Sequence, residues 1–215
     1  MPQIETNIIE KLTPAIIEEM HNIWFCADLH HGHPKIVDIC NRPISREEHD
    51  EWLLREVFNK YVKKKDEVYI LGDVSMAKRS IAEKWVARMN GNKHLILGNH
   101  DKSVEHLGNW SEIKQIKDFT FSRENLNIHI ALCHYPIASW NRKIHGSFHL
   151  YGHVHGRFQN TGLSWDCGID NQQNYGGVFG WCRPINLHEV VMIMNQRQKD
   201  GFDKDRTETS IEQGS

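Results

Sequence analysis

Apolar residues in this chain come in short bursts, and most bursts stop at a glycine or a charged residue. Residues 23–27 (Ile-Trp-Phe-Cys-Ala), 67–71 (Glu-Val-Tyr-Ile-Leu) and 93–97 (Lys-His-Leu-Ile-Leu) are rich in β-branched and aromatic types and read as short buried strands. Between the first two, residues 46–64 place Trp52, Leu53, Val57, Phe58 and Tyr61 on one helical stripe, and Ser45 with Glu48 three positions later is a capping-box pattern. Residues 80–90 repeat the period with Ile81, Trp85, Val86 and Met89, and Gly91 is a natural stop. Strand, helix, strand, helix, strand predicts βαβ units with parallel pairing.

The second half has a different rhythm. Residues 113–121, 126–133, 149–151, 163–167 and 185–194 read as strands with little helical signal among them. The expectation is an α/β fold of two sheets face to face with helices outside, the second sheet more antiparallel and fed by long loops. Residues 1–22, with Ile8, Ile9, Leu12, Ile16 and Ile17, suggest a helix docked on that body and interrupted at Pro14. A single domain over residues 1–195 and a polar, disordered tail over 196–215 complete the expected organisation.

Charge and composition narrow the classes. Twenty-six Lys and Arg against 28 Asp and Glu give a net charge of -2, which provides no global basic field for nucleic acid or acidic lipid. No apolar run reaches the roughly 20 residues that cross a bilayer and no leader pattern opens the chain, so the expected location is the cytoplasm, away from membranes. Five cysteines without a CxxC spacing argue against a disulfide framework or a zinc ribbon. The 15 histidines are numerous and dispersed, unlike a terminal tag.

Many of those histidines stand where strands end. Asp28 and His30 follow the first strand, Gly72-Asp73 the second, Gly98-Asn99-His100-Asp101 the third, His134 the strand ending at Cys133, and Gly152-His153-Val154-His155 the one ending at Tyr151. Open α/β sheets bind ligands beyond the carboxyl ends of their strands, so these clusters can converge. Oxygen and imidazole donors without thiolate suit manganese, iron, zinc or nickel better than calcium or a structural zinc. The donors outnumber one coordination sphere, which points to two divalent ions sharing a carboxylate and neutralising charge on a phosphoryl group. Gly72, Gly98 and Gly152 precede their polar residues where backbone must turn close to an ion or phosphate.

In order and spacing, these clusters resemble the calcineurin-like metallophosphoesterase family over residues 23–190. The stretch Asp-Leu-His-His-Gly-His at 28–33, with Asn41-Arg42-Pro43 after it, is most similar to a subgroup of small bacterial and bacteriophage phosphoesterases. The resemblance implies a four-layer α-β-β-α sandwich with mixed sheets and a dinuclear site, with manganese expected first. Asp28, His30 and His155 would hold one ion, Asn99, His134 and His153 the other, and Asp73 would bridge them. His100 would act as acid or transition-state stabiliser with Asp101 orienting it, and a bridging hydroxide would be the nucleophile. The Asp-Arg-Gly and the Arg before Gly-Asn-His that mark the family's protein phosphatases are missing: Gly72-Asp73 leads into Val74, and Leu97 precedes Gly98.

The implied function is a metal-dependent phosphodiesterase acting on a nucleotide-type or nucleic-acid phosphodiester. The alternatives are a phosphomonoesterase of small nucleotides and a binding scaffold keeping the fold. His33, Arg42 and Arg142 are candidate contacts to the substrate phosphate. His31, His94, His129, His145, His149 and His188 lack motif support and read as surface or structural residues. Asp166 and Asp170 read as strand-end residues and not ligands. Trp140, Trp165, Trp181 and Tyr175 read as core more readily than as a base-stacking platform.

Overall fold

The computed structural model describes residues 8–158, 160–173 and 182–201. Thr13 caps helix α1 (Pro14–Met20), its hydroxyl accepting from the Ile16 amide at 3.3 Å. Pro14 therefore begins a helix instead of interrupting one, since the first helical position has no use for an amide hydrogen. Strand β1 (Ile23–Cys26) follows, then the short helices α2 (Ile36–Ile39) and α3 (His49–Trp52). α3 runs into a π-helical turn, Leu53–Phe58, closed by the Asn59 amide on the Leu54 carbonyl at 2.8 Å. Its buried residues are Leu53, Val57 and Phe58 of the expected stripe, with Leu54 added. The helix starts later than expected because only half a capping box forms: the Ser45 hydroxyl receives the Glu48 amide, but the Glu48 carboxylate takes that hydroxyl instead of the Ser45 amide.

Strand β2 (Glu67–Ile70), helix α4 (Arg79–Val86) and strand β3 (Asn92–Ile96) complete the alternation, and β1, β2 and β3 pair in parallel as expected. Residues 113–121, expected as one strand, are two. β4 (Glu112–Lys114) pairs with β3, whereas β5 (Ile116–Arg123) belongs to the second sheet. The chain changes sheet at Gln115, where the three-residue spacing of Ile113, Ile116 and Phe119 breaks the two-residue period of a strand.

β6 (Leu126–Cys133) pairs antiparallel with β5, but β7 (Phe148–Tyr151) and β8 (Ser164–Asp166) then add in parallel. The second sheet is thus less antiparallel than expected, because the 134–147 connection is long enough to serve as the crossover parallel pairing needs. Of residues 185–194, only β9 (Ile185–Asn186) is strand, antiparallel to β1, and the chain continues as helix α5 (Leu187–Lys199). A full capping box, Asn186 with Glu189, and the helical spacing of buried Leu187, Val190, Val191 and Met194 override the β-branched composition. α5 also absorbs the first residues of the expected polar tail; 202–215, Tyr175 and Trp181 lie outside the described residues.

Packing joins these pieces. Phe25, Tyr69, Leu71 and Ile96 of the first sheet meet Phe119, Ile128, Ile130, Leu132, Phe148 and Leu150 of the second, and α1 and α5 add Ile16, Met20, Val190 and Met194. On its other face the first sheet buries Trp24, Cys26, Val68, Ile70 and Leu95 with residues of the π-helical turn and α4. The result is the expected mixed α/β architecture of two facing sheets. The 134–147 loop packs onto the second sheet through Trp140, whose ring lies 5.1 Å from that of the buried His149. His149 accepts from the Ile137 amide at Nε2 and donates from Nδ1 to the Ala131 carbonyl, a satisfied structural role. His31, stacked on Trp85 at 4.4 Å, and His94, stacked on Tyr69 at 4.4 Å, are structural too.

Candidate metal centre

The carboxyl ends of both sheets open onto one crevice, and the chain bends sharply to line it. Asp28, His30, Asp73, His153 and His155 all take left-handed backbone angles, with φ between 50° and 71°. Such conformations are uncommon for residues with side chains and persist only where the surroundings hold them. Here the loops after β1 and β2 brace each other: the Asp28, His30 and His31 amides donate to the Gly72, Asp73 and Val74 carbonyls at 3.1, 2.9 and 3.0 Å. The glycines allow the close approach. A Cβ on Gly98 would sit 2.4 Å from Asp73 Oδ1, and one on Gly152 would sit 2.4 Å from Ala27 Cβ and 2.8 Å from Asp28 Oδ2.

Besides Cys40 with His155 and Asp170, two triads of ligand atoms result, Asp28 with His30 and His155, and Asp73 with His134 and His153, each gathered within 4.8 Å. Asp73 faces both. Its Oδ2 lies 3.6 Å from His30 Nε2 and its Oδ1 lies 3.6 Å from His134 Nε2. Asn99 Oδ1 stands 3.2 Å from His134 Nε2. His100 is exposed at the mouth with its ring 5.8 Å from that of His30, and its amide donates to Asp73 Oδ1 at 3.0 Å. The half-buried His33 ring lies 5.9 Å from that of His30.

The donor set fits a divalent metal. Both ring nitrogens of His30 are buried without a hydrogen-bond partner, an expense a folded protein rarely carries for nothing. Burial, with the charges of His155 and Arg42, pulls the His30 imidazole down to about 2, so it stands neutral with a lone pair to give. Burial also lowers His153, helped by His134. Asp28 shows the opposite side of the same need: burial and then Asp166, Asp73 and Asp170 push its carboxyl well above the usual range, and a cation would relieve that crowding.

Three residues do something other than expected. Arg42 is buried, and its guanidinium donates to Asp170 Oδ1 and Oδ2 at 2.8 Å each, so it cannot reach a substrate phosphate. Asp101 does not orient the His100 ring: its carboxylate receives the backbone amides of Asp73, Val74 and Gly98 at 2.8–2.9 Å and ties the second and third ligand loops together. Arg142 is exposed at the head of the turn Lys143–His145, and among the described residues its guanidinium makes no hydrogen bond to a ligand loop.

Asp166 and Asp170, read from the sequence as strand-end residues, also brace the candidate ligand loops. Asp170 Oδ2 lies 2.8 Å from His155 Nδ1, and Asp166 receives the Gly156 and Gly168 amides at 2.7 and 2.8 Å. Their sequence signal was their place at the end of β8 and just after it, on either side of Gly168, whose missing side chain leaves room for Asp28 Oδ2.

Known proteins resemble this chain in sequence and fold. The chain is 28% identical over 203 residues to the gene 66 protein of Mycobacterium phage L5, covering 82% of this chain and 95% of that protein. It is 30% identical over 138 residues to the protein MJ1445 of Methanocaldococcus jannaschii, covering 63% of this chain and 70% of that one. Among solved structures, the protein of unknown function AQ665 from Aquifex aeolicus superposes with a TM-score of 0.56 at 19% identity, over 80% of this chain and 98% of that one, a likeness of fold. Residues 21–166 match the family model described as calcineurin-like phosphoesterase. The chain therefore belongs to the calcineurin-like phosphoesterase family and is a metal-dependent phosphoester hydrolase.

Proposed function

We propose that this enzyme is a two-metal phosphodiesterase acting on a nucleotide-type or nucleic-acid phosphodiester. The observation that carries the reading is the position of Asp73, whose two carboxylate oxygens stand equally far from His30 and His134, one in each half of the site. Asp28, His30 and His155 would hold one ion, Asn99, His134 and His153 the other, with Asp73 shared and manganese the first candidate. Bound ions supply Lewis acidity and an activated water, and offset charge in an in-line displacement. The remaining work falls to the chain. His100, exposed beside Asn99, is placed to give a proton or a hydrogen bond to a phosphoryl or leaving-group oxygen. His33, whose ring also lies within 6 Å of that of His30 (5.9 Å), would contact the phosphate as well.

The preference for diesters follows from what Arg42 does. A monoester brings more negative charge than a diester, and sites for it use arginine forks. Here Arg42 is locked onto Asp170, and Arg157, two residues after His155, donates to the Ile39 carbonyl at 2.6 Å, which leaves imidazoles to meet a less charged phosphate. Hydrolysis of bis-p-nitrophenyl phosphate and p-nitrophenyl phosphate by chelated and manganese-reloaded protein tests the reading. Diester cleavage should return with metal and fall at least a hundredfold in His100→Ala and Asp73→Ala. Faster monoester cleavage would reverse the substrate class, and inertness towards both with two ions bound would favour a scaffold.

A further inference from the structure

The two triads differ in what stands behind their imidazoles. His134 donates its Nδ1 hydrogen to the Leu71 carbonyl at 2.7 Å, a neutral peptide oxygen. His155 Nδ1 instead lies 2.8 Å from Asp170 Oδ2, a carboxylate that is 3% exposed. Asp170 is held in turn by both 2.8 Å bonds from Arg42, and the same guanidinium donates to the Asp28 and Leu29 carbonyls at 2.7 and 2.8 Å. One buried side chain thus ties the Asp28 loop to the carboxylate that orients His155. Cys40 Sγ also lies 3.5 Å from His155 Nδ1, on the same nitrogen as Asp170.

A carboxylate behind an imidazole fixes its tautomer and raises the basicity of the far nitrogen, whereas a carbonyl orients without adding charge. We infer that the Arg42–Asp170 pair is a positioning device that makes the Asp28, His30 and His155 triad the tighter of two cation sites, filled before the Asp73, His134 and His153 triad. This ranking rests on the two-metal reading above.

Manganese titration of the chelated full-length protein, followed by the EPR signal of free manganese, separates the cases. Wild type should bind in two classes at least tenfold apart. His155→Ala should remove the tighter class and His134→Ala the weaker. Asp170→Asn should weaken the tighter class 10- to 100-fold and leave the weaker within twofold. The ranking is overturned if the tighter class survives His155→Ala, or if Asp170→Asn shifts both classes alike or neither. Should Asp170→Asn fail to fold, the order of loss in His155→Ala and His134→Ala decides alone. Fewer than two ions on the wild type would instead strike down the two-metal reading, and the ranking with it.

Discussion

At the scale of single residues, the site depends on side chains that are absent as much as on those that are present. Gly98 has no room for a methyl group: its Cβ would meet Asp73 Oδ1 at 2.4 Å and the Asp73 amide nitrogen at 2.7 Å, and the backbone there is fixed by Asp101. Gly98→Ala should therefore displace Asp73, and we expect a loss of at least a hundredfold in metal-restored activity while the far-UV circular dichroism stays native. Activity within threefold of wild type would show that Asp73 is not held as described. His149 gives a pH-dependent counterpart away from the site. Burial lowers its imidazole from 6.5 to about 4, against the backbone hydrogen bonds at Ala131 and Tyr135. A depressed histidine stabilises the fold above its unfolded value of 6.5, and that contribution fades as pH falls towards 4. The loss is on the order of 3 kcal/mol, one pKa unit being about 1.4 kcal/mol. His149→Gln, whose amide can both donate and accept, should flatten the urea-unfolding free energy between pH 6.5 and 4; an unchanged slope would remove His149 as the cause.

At the scale of elements, capping settles what composition leaves ambiguous. The stretch from Ile185 to Met194 contains enough β-branched residues to read as strand, yet Asn186 and Glu189 exchange two 2.9 Å bonds between side chain and backbone and start α5. Asn186→Ala should cost about 1 kcal/mol, or roughly 2–4 °C in Tm for a chain of this size. No shift in a thermal scan would mean that burial alone starts the helix. The same comparison shows which parts of the fold were legible. Short buried strands ending at Gly72-Asp73 and Gly98-Asn99 could be read because local apolar runs and turn residues specify them. The sheet change at Gln115 and the parallel course of β7 and β8 could not, because pairing partners are chosen by contacts distant in the chain. In the site, the candidate ligands were legible as donors at strand exits, and the fold brings them together. The roles of Arg42, Asp101, Asp166 and Asp170 were not, since each acts through a backbone amide, a carbonyl or a partner more than 20 residues away, or through a loop only the fold brings near.

At the scale of the whole molecule, the candidate centre is also a clasp between the sheets. Each triad draws on both: Asp28, His30 and Asp73 follow strands of the first sheet, while His134, His153 and His155 follow strands of the second. Without cations the crevice holds a crowded Asp28 and two unpartnered His30 nitrogens, both of which oppose close approach of the two edges. An ion bound only by the folded state adds RT ln(1 + [L]/Kd), about 2.7 kcal/mol at a hundredfold excess over Kd. That corresponds to roughly 5–10 °C in Tm per ion at 2–4 °C per kcal/mol. Chelation should lower Tm by at least that much and manganese should restore it. Asp73→Asn, which weakens the one carboxylate facing both triads, should forfeit more of the metal-induced gain than His153→Ala, which touches one. Hydrogen exchange should locate the effect: on metal removal, protection should fall at the carboxyl ends of β1, β2, β6 and β7 and hold around the turn of the β5–β6 hairpin, where Arg123 pairs with Leu126 at the other end of β6 from His134. A uniform fall in protection would mean that the ions stabilise the fold globally, and an unchanged Tm in chelator would mean that the sheets are held by their apolar interface alone.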